Sequence, residues 1–158
     1  MDIKNKAQFI EYFSNGIKDI DQLKIGVEHE RFLFESQNRK RISYQTLKKL
    51  FKNLKSDGWK PLTEKEKIIG MQRGNQQITT EPGLQCELSG APLEDIHQVC
   101  SESSKFLKEI EGASKGLDIN TVSIGFDPFN NLSEVPQNPK RRYKIMIKEM
   151  PKGGKQSL

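Results

Sequence analysis

The amino-acid sequence predicts an α+β protein in which an antiparallel sheet carries helices packed on one face. Short runs of alternating apolar and polar residues are separated by turns such as "QRGNQ" and "EPGL", which is typical of paired antiparallel strands. Three longer stretches have apolar residues at helical spacing. The 158 residues suffice for one domain with a real core and are too few for two such domains.

The first two predicted helices have clear start signals. Asn5 can cap a helix over residues 5–14, and Ser43 can cap a second one that ends at Gly58. Apolar residues at helical spacing are Phe9, Ile10, Phe13 and Ile17 in the first region, and Leu47, Leu50, Phe51 and Leu54 in the second.

A third and longer helix is predicted within residues 90–116, with Pro92 in its first turn. Its apolar side is expected to comprise Leu93, Ile96, Cys100, Leu107 and Ile110. Cys100 lies on this stripe, so we expect a buried thiol, and we expect His97 to pack beside the same helix.

Strands are predicted over residues 24–34, 68–72, 76–81, 84–89 and in "INTVSIGF", and residues 127–139 read as a loop. In the run 84–89, Leu84, Cys86 and Leu88 share one face. Gln85 and Glu87 share the other face, which Glu81 joins if the chain stays extended through residues 82–83. One face is therefore core, and the other carries acids and an amide.

The strand "IGVEHERFLF" places two carboxylates one residue apart. Glu28 and Glu30 alternate with Ile25 and Val27, but Phe32 and Phe34 then share the glutamate face. Either this face passes from site to core along the strand, or a bulge intervenes. His29 lies on the face of Ile25 and Val27, so we interpret it as a packed structural residue.

Acidic side chains that converge on a sheet are ligands suited to Mg²⁺, which takes oxygen ligands and offsets their repulsion. Such metal sites also stabilise transferring phosphoryl groups. The alternative is a solvated sheet face whose glutamates pair with lysines. Spacing alone does not decide between the two.

Composition narrows the class of protein further. No apolar run reaches the length of a membrane span, and the charged N-terminus lacks the features of a signal peptide. The two cysteines, Cys86 and Cys100, make no disulfide framework, so we expect a cytoplasmic protein without a membrane partner. The net charge of +5 is a C-terminal feature, because residues 140–158 carry +6 and the preceding 139 residues carry −1. A nucleic-acid partner is therefore not expected.

Three segments of the chain resemble one known family. "IGVEHERF", "IIGMQRGNQQITTEPGLQCELSGAPLEDIHQVC" and "RRYKIMIKEMPKGG" are similar to segments of the glutamate–cysteine ligases of plants and alphaproteobacteria, in the carboxylate–amine ligase superfamily related to glutamine synthetase. The resemblance runs from about Ile25 to the C-terminus. It implies a partial glutamine-synthetase-like catalytic domain, with residues 1–158 as its N-terminal part.

The resemblance implies an ATP-dependent ligation of the glutamate side-chain carboxylate to the amine of cysteine through an acyl phosphate, the first step of glutathione biosynthesis. It implies Mg²⁺ as cofactor and ATP, glutamate and cysteine as small-molecule partners. The metal ligands would be Glu28, Glu30 and Glu87, with Glu81 as a less certain fourth. Substrate-binding residues would be Arg142, Tyr143 and Gln85. Cys100 matches a cysteine that takes part in a redox-regulatory disulfide in plant members, with a partner beyond residue 158.

The chain departs from the family pattern at Val27, Leu33 and Leu84; Leu84 replaces the second glycine of a Gly-Gly pair. Family members are several hundred residues long, so we expect this segment to lack further ligands for ATP and substrate, and to turn over poorly alone. Three alternatives stay open: a non-catalytic module that needs a partner chain, a ligase of the same superfamily that uses another amine, and a nucleic-acid binder that uses the basic tail.

Overall fold

The computed structural model of the chain describes residues 2–153 and confirms the α+β prediction. The elements are, in chain order, α1 (Lys6–Ser14), β1 (Glu28–Glu35), α2 (Tyr44–Leu54), β2 (Lys60–Glu64), β3 (Lys67–Arg73), β4 (Gln76–Thr80), β5 (Cys86–Ser89), α3 (Ile96–Ser114), β6 (Ile119–Val122) and α4 (Arg141–Glu149). Both predicted capping residues act as caps, because the side chains of Asn5 and Ser43 accept from the backbone N–H groups of Gln8 and Thr46.

The strands form one six-stranded sheet in the order β2-β3-β4-β5-β1-β6, and every pairing is antiparallel. The first half of β1 pairs with β5, and its second half pairs with β6. Strand β1 is thus hydrogen-bonded to strands that follow it by more than fifty residues. The two acidic motifs of the sequence meet through this pairing.

The hydrophobic core lies between one face of the sheet and helices α2 and α3. The sheet contributes Leu33, Met71, Ile78, Cys86 and Leu88; the helices contribute Leu47, Leu50, Phe51, Leu54, Phe106 and Ile110. All of these side chains are buried. Their removal from water is the main force that holds the helices on this face.

Helix α1 differs from the other helices because none of its residues is buried. Its apolar side chains, Phe9, Ile10, Tyr12 and Phe13, are all more than half exposed. The predicted helix exists, but the described residues provide no core for its apolar side.

The prediction for the long helix is wrong in two respects. Its N-cap is Asp95, so Pro92 lies before the helix and not in its first turn. Its buried residues are Val99, Glu102, Phe106, Ile110 and Ala113, so only Ile110 was correctly placed, and Cys100 and His97 are exposed. The buried stripe contains a carboxylate: Glu102 accepts from the amide of Gln76 at 2.6 Å and from the backbone N–H of Ala91 at 2.8 Å. An apolar pattern cannot detect such a residue.

Strand β2 was not predicted. It is short, contains Pro61 and lies at the edge of the sheet, which is where proline is tolerated in a strand.

In β1 the pairings show no register shift, so the bulge alternative is excluded. Instead, Phe32, Leu33 and Phe34 are all buried, and the face that begins with glutamates ends in an aromatic cluster. No helix among residues 2–153 is long and apolar enough to cross a membrane.

Candidate functional site

A cavity of about 930 Å³ lies on the sheet face opposite α2 and α3. Five of its lining residues are glutamates and three are cationic. The acids are Glu28, Glu30, Glu64, Glu81 and Glu87, and the cations are Lys140, Arg141 and Arg142. Five strands, β1 to β5, supply the floor, and the start of α4 supplies the cationic rim.

The two acidic motifs face each other across one strand pair. Glu30 on β1 lies directly opposite Glu87 on β5, and Glu28 lies opposite Ser89. Directly opposite residues in an antiparallel pair have Cβ atoms about 5 Å apart, and like charges placed there repel each other. The arrangement is therefore unfavourable for the sheet by itself.

Glu87 is buried, with 8% of its surface exposed. Its carboxylate accepts from the hydroxyl of Ser89 at 2.7 Å and, more weakly, from that of Thr79 at 3.5 Å. Within the part of the chain that the structure describes, no ion pair joins Glu87 to a cation. A buried carboxylate that is held only by hydroxyls attracts a cation.

Glu81 has a different environment. Its carboxylate accepts from the guanidinium of Arg142 at 2.7 and 3.0 Å and from the hydroxyl of Tyr143 at 2.5 Å. The ammonium group of Lys140 lies 3.8 Å from the same carboxylate. Four polar groups from two segments thus form a cation–carboxylate cluster at the rim of the cavity.

Burial alters the protonation chemistry of this cluster. It raises the pKa of Tyr143 to about 12, with the hydrogen bond to Glu81 acting in the same direction, so the phenol keeps its proton and donates it. Burial also lowers the pKa of Lys140, although the neighbouring Glu81 acts in the opposite direction. Tyr143 is therefore a neutral donor, and Lys140 is a partly desolvated cation.

A tight turn connects Glu81, which lines the cavity, to Gln85, which contacts the lining residue Glu30. The backbone N–H of Glu81 donates to the carbonyl of Gln85 at 2.8 Å, and the Gln85 amide donates to Glu30 at 2.7 Å. The turn is not extended, because Gly83 and Leu84 have φ of 70° and 60°. Leu84 adopts the left-handed conformation that glycine accommodates best, which gives a physical reason for the second glycine of the family pattern.

Five of the seven predicted metal and substrate residues line the cavity: Glu28, Glu30, Glu81, Glu87 and Arg142. The other two, Gln85 and Tyr143, contact lining residues by donating to Glu30 and Glu81. The structure does not place these residues as a finished metal site: among residues 2–153, no three acidic, histidine or cysteine side chains are positioned to hold one ion. Gln85 engages Glu30, the rim cations engage Glu81, and Ser89 engages Glu87.

The sequence analysis missed three polar residues of this region. Glu64 accepts from the backbone N–H of Arg141 at 3.1 Å, and it was missed because β2 was not predicted. The buried amide of Asn138 donates to the carbonyls of Thr80 and Glu81 at 2.8 and 3.0 Å, and Lys140 follows it. Both lie at the end of the predicted loop, and the only available signal was their position just before the "RRY" motif.

The remaining predicted residues lie elsewhere. Cys100 and His97 are exposed on α3, so the predicted buried thiol and packed histidine are wrong. The redox role of Cys100 stays a prediction. His29 is half-buried, and its Nε2 atom is buried without a hydrogen-bond partner in the described residues.

Comparison of the sequence with known proteins identifies a family. The sequence profile of Glutamate-cysteine ligase family 2 matches residues 24–158. The chloroplastic glutamate–cysteine ligase of Medicago truncatula is 38% identical over 97% of this chain and 30% of its own length. Similar values hold for the chloroplastic ligase A of Oryza sativa subsp. japonica, at 38% over 97% of the chain and 31% of the relative. The chloroplastic glutamate–cysteine ligase of Arabidopsis thaliana is 38% identical over 94% of this chain and 29% of its own length.

The chain thus spans about three-tenths of the length of the curated relatives it matches. The predicted cytoplasmic location is wrong by this comparison, because these relatives are named chloroplastic enzymes. The family prediction itself is confirmed, since the profile covers most of the sequence and the identity extends over nearly all of it. By its motifs, its profile and these relatives, the chain belongs to glutamate–cysteine ligase family 2.

Proposed function

We propose that this chain is part of an ATP-dependent enzyme that joins the side-chain carboxylate of glutamate to the amine of cysteine, the first step of glutathione biosynthesis. The proposal is supported by the names of its relatives, which are glutamate–cysteine ligases, and by the acids and cations gathered around one cavity. In this reaction a glutamate carboxylate oxygen attacks the γ-phosphorus of ATP, and ADP leaves. The cysteine amine then attacks the acyl carbon, phosphate leaves, and the amine loses a proton.

The observation that carries the proposal is the direct opposition of Glu30 and Glu87. Folding places these carboxylates together at a cost, and the burial of Glu87 without a cation increases that cost. Carboxylate oxygens suit Mg²⁺, so the residues present fit this ion. Glu30 and Glu87, with Glu28 beside them, would hold it. When bound, Mg²⁺ would neutralise charge on the phosphates of ATP.

The chain's own residues would then orient the substrates. Ser89 and Thr79 hold the Glu87 carboxylate toward the cavity, and Gln85 holds Glu30. At the rim, Arg142 and Tyr143 present donors to a carboxylate, and in this structure that carboxylate belongs to Glu81. A glutamate substrate has the same chemical group. We therefore assign Arg142 and Tyr143 to substrate carboxylate binding, with Lys140 supplying further positive charge.

This assignment gives Glu81 a role that differs from that of a fourth metal ligand. Its carboxylate already has three cationic or phenolic partners, whereas Glu87 has only hydroxyls. We infer that Glu81 is the counter-ion of the substrate-binding cluster. Glu81→Gln should then change glutamate affinity and leave the Mg²⁺ dependence of ATP binding intact. If Glu81 is a metal ligand, Glu81→Gln will instead behave like Glu87→Gln.

Calorimetric titration of the purified chain with ATP, with and without Mg²⁺, tests the proposed function. We expect Mg²⁺-dependent binding that weakens about tenfold or more in Glu30→Gln and Glu87→Gln. Glu111→Gln is the matched control, because Glu111 is exposed on α3, which packs on the other face. The proposal would be contradicted if EDTA did not weaken ATP binding, or if Glu87→Gln bound ATP as tightly as the wild type. Turnover is then tested by measuring the release of ADP in the presence of glutamate and cysteine. If the chain binds ATP but releases no ADP, the alternative of a non-catalytic module that needs a partner chain is favoured.

A further inference from the structure

We propose that Arg41 is a positioning residue that holds the Glu81–Gln85 turn in the shape needed by the site; this inference rests on the proposed function. Arg41 lies outside the cavity and belongs to none of the family motifs quoted above. It directly contacts the centre of the turn. The two ends of that turn place Glu81 at the cavity and Gln85 against Glu30.

The contacts of Arg41 are those of a fixed anchor. The side chain is buried, and its Nη2 group donates to the carbonyl of Gly83 at 2.5 Å. Its guanidinium lies over the ring of Phe32, 4.4 Å from the centroid. Its charge is offset by Asp127, at 3.4 Å. A planar guanidinium that stacks on a ring and donates in two directions has few alternative positions.

The turn needs an external anchor because its backbone is unfavourable. Gly83 and Leu84 both have positive φ, and such a conformation costs about 1–2 kcal/mol at the non-glycine Leu84. Asn138 fixes the first end of the turn through the carbonyls of Thr80 and Glu81. Arg41 is the side chain that fixes its centre, and the space next to Gly83 is filled by Arg41 and Val135.

The aromatic partner of Arg41 links the turn to the acidic strand. Phe32 follows Glu30 by two residues on β1 and lies on the same face. Arg41 therefore contacts both structures that must be in register: the strand that carries Glu30 and the turn that carries its partner Gln85. A shift of the turn would separate Gln85 from Glu30 and move Glu81 relative to Arg142.

The molecule contains a matched control for this test. Arg73 lies over the ring of Trp59 at 4.3 Å, pairs with Glu109 at 2.7 Å, and donates to the backbone carbonyl of Asp57 at 2.9 Å. It is built like the Arg41 unit, but its partners Asp57, Glu109 and Trp59 all lie outside the Glu81–Gln85 turn. Arg73→Met should thus lower stability much as Arg41→Met does, without affecting the turn.

Two measurements on the full chain test the proposal: hydrogen exchange of the backbone amides in the segment 81–88, and calorimetric titration with glutamate and with Mg²⁺ and ATP. In Arg41→Met we expect exchange about tenfold faster in that segment and ligand binding about tenfold weaker, since small misplacements of site residues have large effects. Arg73→Met should lower the melting temperature as much as Arg41→Met does. Its amide exchange in the segment 81–88 and its ligand affinity should nevertheless match those of the wild type.

Arg41→Lys separates charge from anchoring. Its single ammonium group keeps a positive charge for Asp127 but lacks the planar fork that also reaches Gly83. We expect the melting temperature of Arg41→Lys to be higher than that of Arg41→Met. The backbone amides of the turn should still exchange as fast as in Arg41→Met. Unchanged exchange in Arg41→Met, or equal loss of binding in Arg41→Met and Arg73→Met, would overturn the proposal. Hydrogen exchange tests the anchoring role of Arg41 even if the wild-type chain binds no ATP. A lack of ATP binding would count against the proposed function and not against the role of Arg41.

Discussion

The two faces of the sheet differ most sharply in strand β5, where consecutive residues belong to opposite environments. Cys86 and Leu88 have no exposed surface and pack under the helices, whereas Glu87 between them faces the cavity. The helix face is mainly apolar and is held chiefly by burial. The cavity face is held by particular partners from other segments: Ser89 for Glu87, Gln85 for Glu30, and Arg142 for Glu81. The apolar core and the proposed site therefore lie on opposite sides of the same strand.

Substitution of neighbouring residues tests this comparison most strongly. Leu88→Ala should lower the free energy of unfolding by about 2–5 kcal/mol, because it leaves a cavity in a fully buried site. Glu87→Gln should change it by less than about 1 kcal/mol, since it relieves repulsion from Glu30. Urea denaturation of both variants gives the values. Comparable losses in the two variants would mean that the faces are not energetically distinct.

Two glycines with positive φ extend the comparison to the backbone, because Gly83 lies in the turn next to the site and Gly74 lies in open space. Gly83 has φ of 70°, and an added Cβ would lie 2.5 Å from Val135 Cγ1; Gly74 has φ of 56° with open space around it. Gly74→Ala should cost about 1–2 kcal/mol from conformation alone. Gly83→Ala should cost about 1–3 kcal/mol more because of overpacking. Thermal unfolding measures the difference, and equal costs would show that the turn next to the site can relax.

Between about pH 9 and pH 10, below the ordinary pKa of tyrosine, alkaline pH should act through the helix face. Burial raises the pKa of the Cys86 thiol to about 12, while the unfolded chain ionises near the ordinary value of 9.0. Between these values the unfolded state binds fewer protons, so the free energy of unfolding falls as pH rises. The contribution is fully present below about pH 9, and its loss amounts to about 1.4 kcal/mol per pH unit above that.

Cys86→Ala should remove this slope while it lowers stability at neutral pH. Urea denaturation of the wild type and Cys86→Ala from pH 7 to about pH 10.5 measures it, since these values span the start of the window. Parallel curves for the two proteins would show that Cys86 is not buried in the folded chain.

The smallest expected effect concerns the reactivity of the two thiols. Cys100 is exposed on α3, and Cys86 is buried in the core. Iodoacetamide should modify one cysteine per native chain at pH 8 and both after denaturation, as counted by mass spectrometry. The variant Cys100→Ser should remain unmodified until it unfolds. Early modification of Cys86 would contradict the closed packing of the helix face.

Alternation along the strands predicted both faces of β5 and the first half of β1, because side chains in a strand alternate strictly. It placed Glu28 and Glu30 on one face of β1, and Glu87 on the face of β5 opposite Cys86 and Leu88, but it did not show that these faces form one surface. The buried side of α3 was not predictable in the same way, because Glu102 lies on that side and is stabilised by Gln76 and Ala91. Strand β2, and with it Glu64, was missed because Pro61 and its charged neighbours obscure an edge strand.

The sequence by itself determined the class of fold, the family and four of the five acidic residues of the cavity, since these follow from local periodicity and from motifs of fixed spacing. Only the tertiary structure decided that Glu30 lies opposite Glu87 and that Glu81 pairs with Arg142. It also decided that Arg41 reaches Gly83. These contacts join residues more than forty positions apart. Their geometry depends on strand order and on turn conformation, which the local pattern of residues does not encode.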